Sequence, residues 1–132
     1  MNFRTEQENF WASTFGDEYS IRNSDNKHFV ANLALFSKIL SGTRNIESVI
    51  ELGANIGLNL RALGMLFPKN HQTGVEINQS ACETLKLING IKVYNRSILD
   101  LDDINEQFDF VLTKTVLIHI NPDNLQQVYS LM

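Results

Sequence analysis

The sequence predicts an α/β fold, a Rossmann-like parallel sheet flanked by helices. Short apolar runs with the length of strands alternate with segments whose apolar residues recur at helical spacing. This alternation is typical of parallel sheets with helices on both faces. The first strand also runs through a glycine directly into a helix, as the first strand of such a sheet does. The predicted strands are 48–52, 73–77, 91–95 and 108–114.

Helices are expected before the first strand. Thr5 and Glu8 have the spacing of a capping box, which predicts a short helix, and Gly16 with Asp17 gives a stop signal after it. A longer helix, from residue 26 or 27 to about 41, is indicated by apolar residues on one face, with Ser24 or Asp25 as its cap. We therefore expect residues 1–45 to form helices ahead of the first strand, a segment called here the N-terminal helical cover.

Three further helices alternate with the strands. The first extends from about residue 56 to Phe67, where Pro68 ends it. The second covers 79–89 and stops at Gly90. The third begins near Pro122 or Asp123 and continues to Met132. Residues 46–132 are thus predicted to form the Rossmann-like core of one domain, in line with a length of 132 residues.

Composition excludes several classes of partner. The formal net charge is −4 without a basic stripe, so we expect no nucleic acid partner. No apolar run approaches the length of a membrane span, so we expect no membrane partner. The single cysteine, Cys82, rules out an internal disulfide and favours a cytoplasmic location.

A glycine turn and an acid predict a nucleoside site. Gly53 follows the first strand, where a helix N-terminus and free backbone N–H groups favour electron-rich ligands. Glu76 ends the second strand about twenty residues later, the spacing at which an acid accepts hydrogen bonds from a ribose. The alternatives are an ordinary βα turn and a solvated acid at a strand end.

At these residues the chain resembles the Rossmann-like (class I) S-adenosylmethionine-dependent methyltransferases. The stretch Glu51-Leu52-Gly53-Ala54-Asn55-Ile56-Gly57 is similar to their first motif, except that Asn55 stands where a glycine is usual. Asparagine tolerates left-handed backbone angles, so the turn is retained. The nicotinamide-binding fingerprint requires three glycines, which disfavours a dehydrogenase.

The resemblance implies S-adenosylmethionine as the cofactor and assigns residues to it. Glu51 braces the loop or reaches the methionine amino group; alternatively, local backbone satisfies its carboxylate. Ser97 stands where an aspartate commonly receives the adenine amino group, and Ile98 packs on the ring. The implied cofactor-binding residues are Glu51, Gly53, Ala54, Asn55, Gly57, Glu76, Ile77, Ser97, Ile98 and Lys114.

Residues after the fourth strand face the methyl acceptor in the resembled family. There His119 is a candidate catalytic base, because a neutral imidazole can take a proton from a hydroxyl or an amine. The alternative is a partly buried structural histidine at the start of a helix.

The N-terminal segment carries a second, looser resemblance. Phe10-Trp11, Phe15-Gly16-Asp17 and Tyr19 through Asn23 are similar to the start of methylases associated with the biosynthesis of pseudaminic acid and other surface sugars. Tyr19 and Arg22 are therefore substrate-binding candidates, with Arg22 pairing with a carboxylate. The alternative for Arg22 is a structural ion pair with Asp17 or Glu18.

Together these features predict a methyltransferase that acts on a small molecule, such as an activated sugar. The resembled family has about seven strands, so we expect the chain to be incomplete, with an exposed fourth strand that favours homodimerisation. A non-catalytic nucleoside-binding or scaffold fragment is the second hypothesis, and a nicotinamide oxidoreductase is the third.

Overall fold

The computed structural model describes residues 2–132, and a four-stranded parallel sheet lies at its centre. The strands are β1 (Ser48–Leu52), β2 (His71–Glu76), β3 (Ile91–Asn95) and β4 (Phe110–Leu112). They lie in the order β3-β2-β1-β4, and every pair is parallel. The order reverses at β1, so the carboxyl ends of β1, β2 and β4 surround one crevice, the usual ligand site of such sheets. The predicted fold class is confirmed.

Helices precede the sheet and connect its strands. Their bounds are α1 (Glu6–Trp11), α2 (Thr14–Arg22), α3 (Asn26–Ile39), α4 (Leu58–Leu66), α5 (Gln79–Leu85) and α6 (Leu125–Leu131), with 3₁₀ turns at Leu117–His119 and Pro122–Asn124. Within the described range, no helix combines the length and hydropathy that crossing a membrane requires.

Strand β1 builds a core on each face of the sheet, because alternate residues of a strand point in opposite directions. Val49 packs with Phe36 of α3 and with Leu60 and Leu63 of α4. Ile50 and Leu52 point to the other side. There they pack in a second cluster, whose other buried members are Val75, Ile98, Leu99, Leu101 and Val128.

The N-terminal cover contains one helix more than the sequence indicates. The capping box of α1 is present, since Glu8 N–H donates to Thr5 Oγ1 at 3.1 Å and Thr5 N–H donates to Glu8 Oε2 at 2.8 Å. However, the predicted stop at Gly16 is wrong, because α2 continues through it. A Cβ at Gly16 would lie 2.0 Å from the carbonyl oxygen of Trp11 and 2.7 Å from Asn78 Nδ2. Glycine is needed there for close packing rather than for a turn.

Helix α5 and strand β4 are shorter than predicted. Helix α5 ends at Leu85 rather than near residue 89. Strand β4 is limited to Phe110–Leu112, because the residue before it is held by side chains instead of the ladder. Asp109 Oδ2 accepts the N–H groups of Glu47 and Ser48 at 2.8 and 3.1 Å, and Asp109 N–H donates to Ser48 Oγ at 2.9 Å. These bonds set the start of β4 beside the start of β1.

Candidate functional site

The turn after β1 bends over the end of β2. The N–H groups of Gly53 and Ala54 both donate to the carbonyl oxygen of Val75 at 2.9 Å. Gly53 has φ +80° and Gly57 has φ +84°, in the left-handed region that glycine adopts readily. A Cβ on Gly53 would lie 2.5 Å from Val116 Cγ2, so steric packing requires glycine there as well.

Asn55 occupies the left-handed conformation expected of it. Its φ is +50°, and Ser20 Oγ on α2 donates to its side-chain oxygen Oδ1 at 2.5 Å. Asn55 N–H donates to Glu76 Oε2 at 2.7 Å. The asparagine therefore preserves the turn and links it to both α2 and the acid on β2.

Glu76 lies directly beside the turn, and two backbone groups fix its carboxylate. Oε2 accepts the N–H of Asn55, and Oε1 accepts the N–H of Asn78 at 2.8 Å. Burial raises the pKa of Glu76, while these N–H groups act in the opposite direction. Because each carboxylate oxygen has two lone-pair sites, each one retains capacity for one further donor.

Glu51 lies under the turn and is 1% exposed. Asn59 Nδ2 donates to Glu51 Oε1 at 2.5 Å, so its partner is a side chain rather than local backbone. Burial raises the pKa of Glu51 to about 8, with the Asn59 hydrogen bond and the charge of Lys114 opposing the rise and Glu76 adding to it. Glu51 Oε2 and Asn59 Oδ1 are buried without a hydrogen-bond partner in residues 2–132. Two unpaired buried acceptors are costly unless a ligand supplies donors.

The end of β3 forms one wall of the same cavity. Ser97 and Ile98 both line it, and Ser97 Oγ accepts the N–H of Leu99 at 3.1 Å. Glu8 from α1 lines the cavity on this side as well. Ile77 and Lys114 line the cavity as well. Two predicted cofactor residues do not: Glu51 is buried under the turn, and Gly57 packs against Leu85 and Ile88.

The end of β4 forms the opposite wall together with α1 and α2. His119 lines the cavity, with its ring centroid 4.6 Å from that of Trp11, and the ring of Tyr19 meets Trp11 edge-on at 5.2 Å. Thr115, also in this wall, has φ +61°, which is a strained conformation for a β-branched residue. Two aromatic rings and the imidazole of His119 therefore lie together in this wall.

Arg22 is placed differently from the prediction. Its side chain is exposed and does not line the cavity, and its guanidinium lies 5.6 Å from the ring centroid of Phe15. Neither Asp17 nor Glu18 forms an ion pair with it in the described part of the chain. The helical turn that carries Tyr19 into the cavity directs Arg22 outward.

Comparison with known proteins identifies the fold. No family model and no curated protein matches the chain, but many solved structures do. The plantazolicin methyltransferase BpumL, in complex with a monoazolic desmethylPZN analog and SAH, is 17% identical with a TM-score of 0.69 over 91% of this chain and 50% of its own. The sugar N-methyltransferase KedS8 from Streptoalloteichus is 21% identical with a TM-score of 0.59 over 79% of this chain and 40% of its own. The fold is that of the Rossmann-like methyltransferases.

A third structure agrees with this fold. PKMT2 from Rickettsia typhi, in complex with AdoHcy, is 26% identical with a TM-score of 0.56, over 62% of this chain and 17% of its own. The chain thus spans half or less of the length of these three proteins.

Several polar residues of this methyltransferase fold were not predicted as part of the site. Asn78 Nδ2 donates to the carbonyl oxygens of Trp11 and Ser13 at 3.2 and 3.4 Å and to Asp17 Oδ1 at 2.9 Å. Asn78 therefore joins the cover to Glu76, because its own N–H holds that carboxylate. The sequence indicated Asn78 only as the cap of α5, and its more distant partners leave no local signal. Glu8, Ser20 and Asn59 were missed for the same reason.

Proposed function

We propose that this protein binds S-adenosylmethionine in the cavity and transfers its methyl group to a small molecule. The position of Glu76 beside the turn at Gly53 carries the proposal. The two Glu76 oxygens each accept one backbone N–H and retain one site each, which matches the two adjacent hydroxyls of a ribose. The unpaired oxygens of Glu51 and Asn59 suit the ammonium group of the methionine part.

The residues of the chain would orient the reactants and exclude water. Bound S-adenosylmethionine supplies a methyl group made electrophilic by its sulfonium. The aromatic wall that includes Trp11 and Tyr19 would hold the acceptor in line with it and keep water out. His119, in the same wall, would take the proton that a hydroxyl or ammonium acceptor loses.

We propose an activated sugar of the pseudaminic acid type as the acceptor class. The N-terminal resemblance supports this, and KedS8, one protein of similar fold, is a sugar N-methyltransferase. Incubation with S-adenosylmethionine and a panel of nucleotide-activated sugars, with methylated product detected by mass spectrometry, tests it. Methylation confined to non-sugar amines or hydroxyls would contradict the acceptor class and leave the methyltransferase proposal standing.

A non-catalytic nucleoside-binding or scaffold role is the second candidate. The contacts that hold the Glu76 carboxylate would bind a nucleoside whether or not a methyl group is transferred. Calorimetric binding of S-adenosylmethionine without methyl transfer to any acceptor would support it. For a nicotinamide oxidoreductase, the third candidate, NAD would have to displace S-adenosylhomocysteine in a competition experiment.

The variant Glu76→Ala tests the cofactor proposal directly. Hydrogen bonds to a charged acceptor contribute about 1.5–3 kcal/mol, so loss of the carboxylate should weaken S-adenosylhomocysteine binding by roughly ten- to hundredfold. Glu83→Ala, which removes an exposed acid from α5, is the matched control and should bind normally. Unchanged affinity of Glu76→Ala in titration calorimetry would contradict the ribose assignment.

The expectations about assembly, domain limits and location stay predictions. Among the described residues, β4 pairs only with β1 and forms one edge of the sheet. We propose that this edge mediates the predicted homodimer, and light scattering coupled to gel filtration is the test. A monodisperse monomer at high concentration would contradict it. The division at residue 45 stays a prediction from the order of helices and strands. The absence of nucleic acid and membrane partners and the cytoplasmic location stay predictions from composition.

A further inference from the structure

We infer that Glu8, on the N-terminal helix α1, is the residue that recognises the exocyclic amine of adenine. The inference rests on the proposed function, because it needs an adenosine in the cavity. It assigns base specificity to the cover rather than to the loop after β3, where Ser97 stands.

The sheet order fixes the direction of the base. A ribose held at Glu76 lies at the end of β2, between the ends of β1 and β3. On the β1 side lie the turn at Gly53, the acid Glu51 beneath it and, after β4, Lys114. These charged groups suit the amino-acid part of the ligand. The base therefore lies on the β3 side, against Ile98.

Glu8 lies on that same side of the cavity. It lines the cavity, is 7% exposed and belongs to a segment tied to the β3 loop. Arg4 makes that connection, since its Nη1 donates to the carbonyl oxygen of Leu99 and its Nη2 to Asp100 Oδ1, both at 3.3 Å. Arg4 thus ties the segment that carries Glu8 to the loop after β3.

The carboxylate is held with one oxygen available. Glu8 Oε2 accepts the N–H groups of Arg4 and Thr5 at 2.6 and 2.8 Å and the Thr5 hydroxyl at 3.3 Å. Oε1 takes part in none of these three bonds. If the neighbouring Ser97 hydroxyl uses one of its lone pairs, a second remains for a donor in the cavity. An amine is such a donor. A site with a fixed acceptor discriminates strongly against a ligand that lacks the amine.

Ser97 supports Glu8 rather than replacing it. Burial raises the pKa of Glu8, but hydrogen bonds from the Ser97 side chain, Thr5 and Arg4 outweigh this, and the net pKa lies below its usual value. The acid is therefore ionised and purely an acceptor at neutral pH. Ser97 Oγ accepts the N–H of Leu99, and its side chain helps to lower the pKa of Glu8, so Ser97 is already engaged.

The test compares two ligands and three proteins. The ligands are S-adenosylhomocysteine and its purine riboside analogue, in which hydrogen replaces the exocyclic amine. The proteins are the wild type, Glu8→Gln and Glu6→Gln, the last removing an exposed acid from the same helix. In Glu8→Gln the N–H groups of Arg4 and Thr5 orient the amide so that its oxygen faces them and its NH₂ faces the cavity. The capping box survives while the cavity loses its acceptor.

The wild type and Glu6→Gln should prefer S-adenosylhomocysteine by roughly ten- to hundredfold in titration calorimetry. In Glu8→Gln the two ligands should bind within about twofold of each other. Equal binding of the two ligands by the wild type, or an unchanged preference in Glu8→Gln, overturns the assignment of Glu8 alone. No binding of S-adenosylhomocysteine by the wild type overturns the proposed function and this inference together.

Discussion

Replacing Glu51 by glutamine should remove most of a pH dependence of folding. The pKa of Glu51 rises from an ordinary 4.5 to about 8, because burial disfavours its charged form. Between pH 4.5 and about 8 the folded state therefore holds a proton that the unfolded chain has lost. The contribution of Glu51 to stability is greatest below pH 4.5 and falls as the pH rises towards 8. Each pH unit in that interval costs about 1.4 kcal/mol, so the wild type should lose about 3 kcal/mol between about pH 5.5 and about pH 7.5.

The amide of Glu51→Gln is uncharged at every pH, whereas the Glu51 carboxyl is uncharged only below its pKa. Urea unfolding at several pH values measures the difference, and the variant should exceed the wild type by several kcal/mol at about pH 8. Glu47→Gln, an exposed acid just before β1, is the control and should leave the wild-type pH profile unchanged. Parallel pH profiles of wild type and Glu51→Gln would refute the reasoning, because the buried carboxyl would then not be the source of the dependence.

Two further outcomes follow from the backbone. Gly16→Ala places a methyl group 2.0 Å from the Trp11 carbonyl oxygen and should cost about 1–3 kcal/mol in urea unfolding, despite the better helix propensity of alanine. Gly42→Ala, with open space around its Cβ, should be neutral or slightly stabilising, and equal effects of the two would contradict the packing argument. Thr115→Gly should stabilise the protein by about 1 kcal/mol, since it relieves a left-handed β-branched residue. Thr115→Ala keeps a Cβ and should gain less, and a lower melting temperature for Thr115→Gly would show that the strain is absent.

The sequence was sufficient wherever the signal is local. The turn at Gly53, the left-handed Asn55 and the capping box of Thr5 and Glu8 each depend on residues within a few positions of one another. The order of apolar runs and helical segments then led to the parallel sheet, because few topologies satisfy such an alternation. The position of Glu76 beside the turn follows from the same rules, since adjacent parallel strands end at the same edge.

The sequence was insufficient where contacts join distant segments. Gly16 has the same local signal whether it ends a helix or allows two chain segments to approach closely, and only the position of Trp11 distinguishes the two. Arg22 was assigned to the substrate, together with Tyr19, from the N-terminal resemblance. Tyr19 lines the cavity, but Arg22, three residues further along the helix, is exposed. Glu8 was understood as a cap, and its second role depends on the loop after β3, about ninety residues away.

The amide of Asn78 has a consequence for how a ligand enters and leaves. Its side chain donates hydrogen bonds to Trp11 in α1 and Asp17 in α2. Its backbone N–H donates to Glu76, the acid that would hold the ribose. Movement of α1 and α2 away from the sheet would break the side-chain hydrogen bonds of Asn78. It would also weaken the hold of the Asn78 N–H on Glu76. Entry and retention of a ligand would then both depend on Asn78, and a ribose bound at Glu76 would favour the closed position of the two helices.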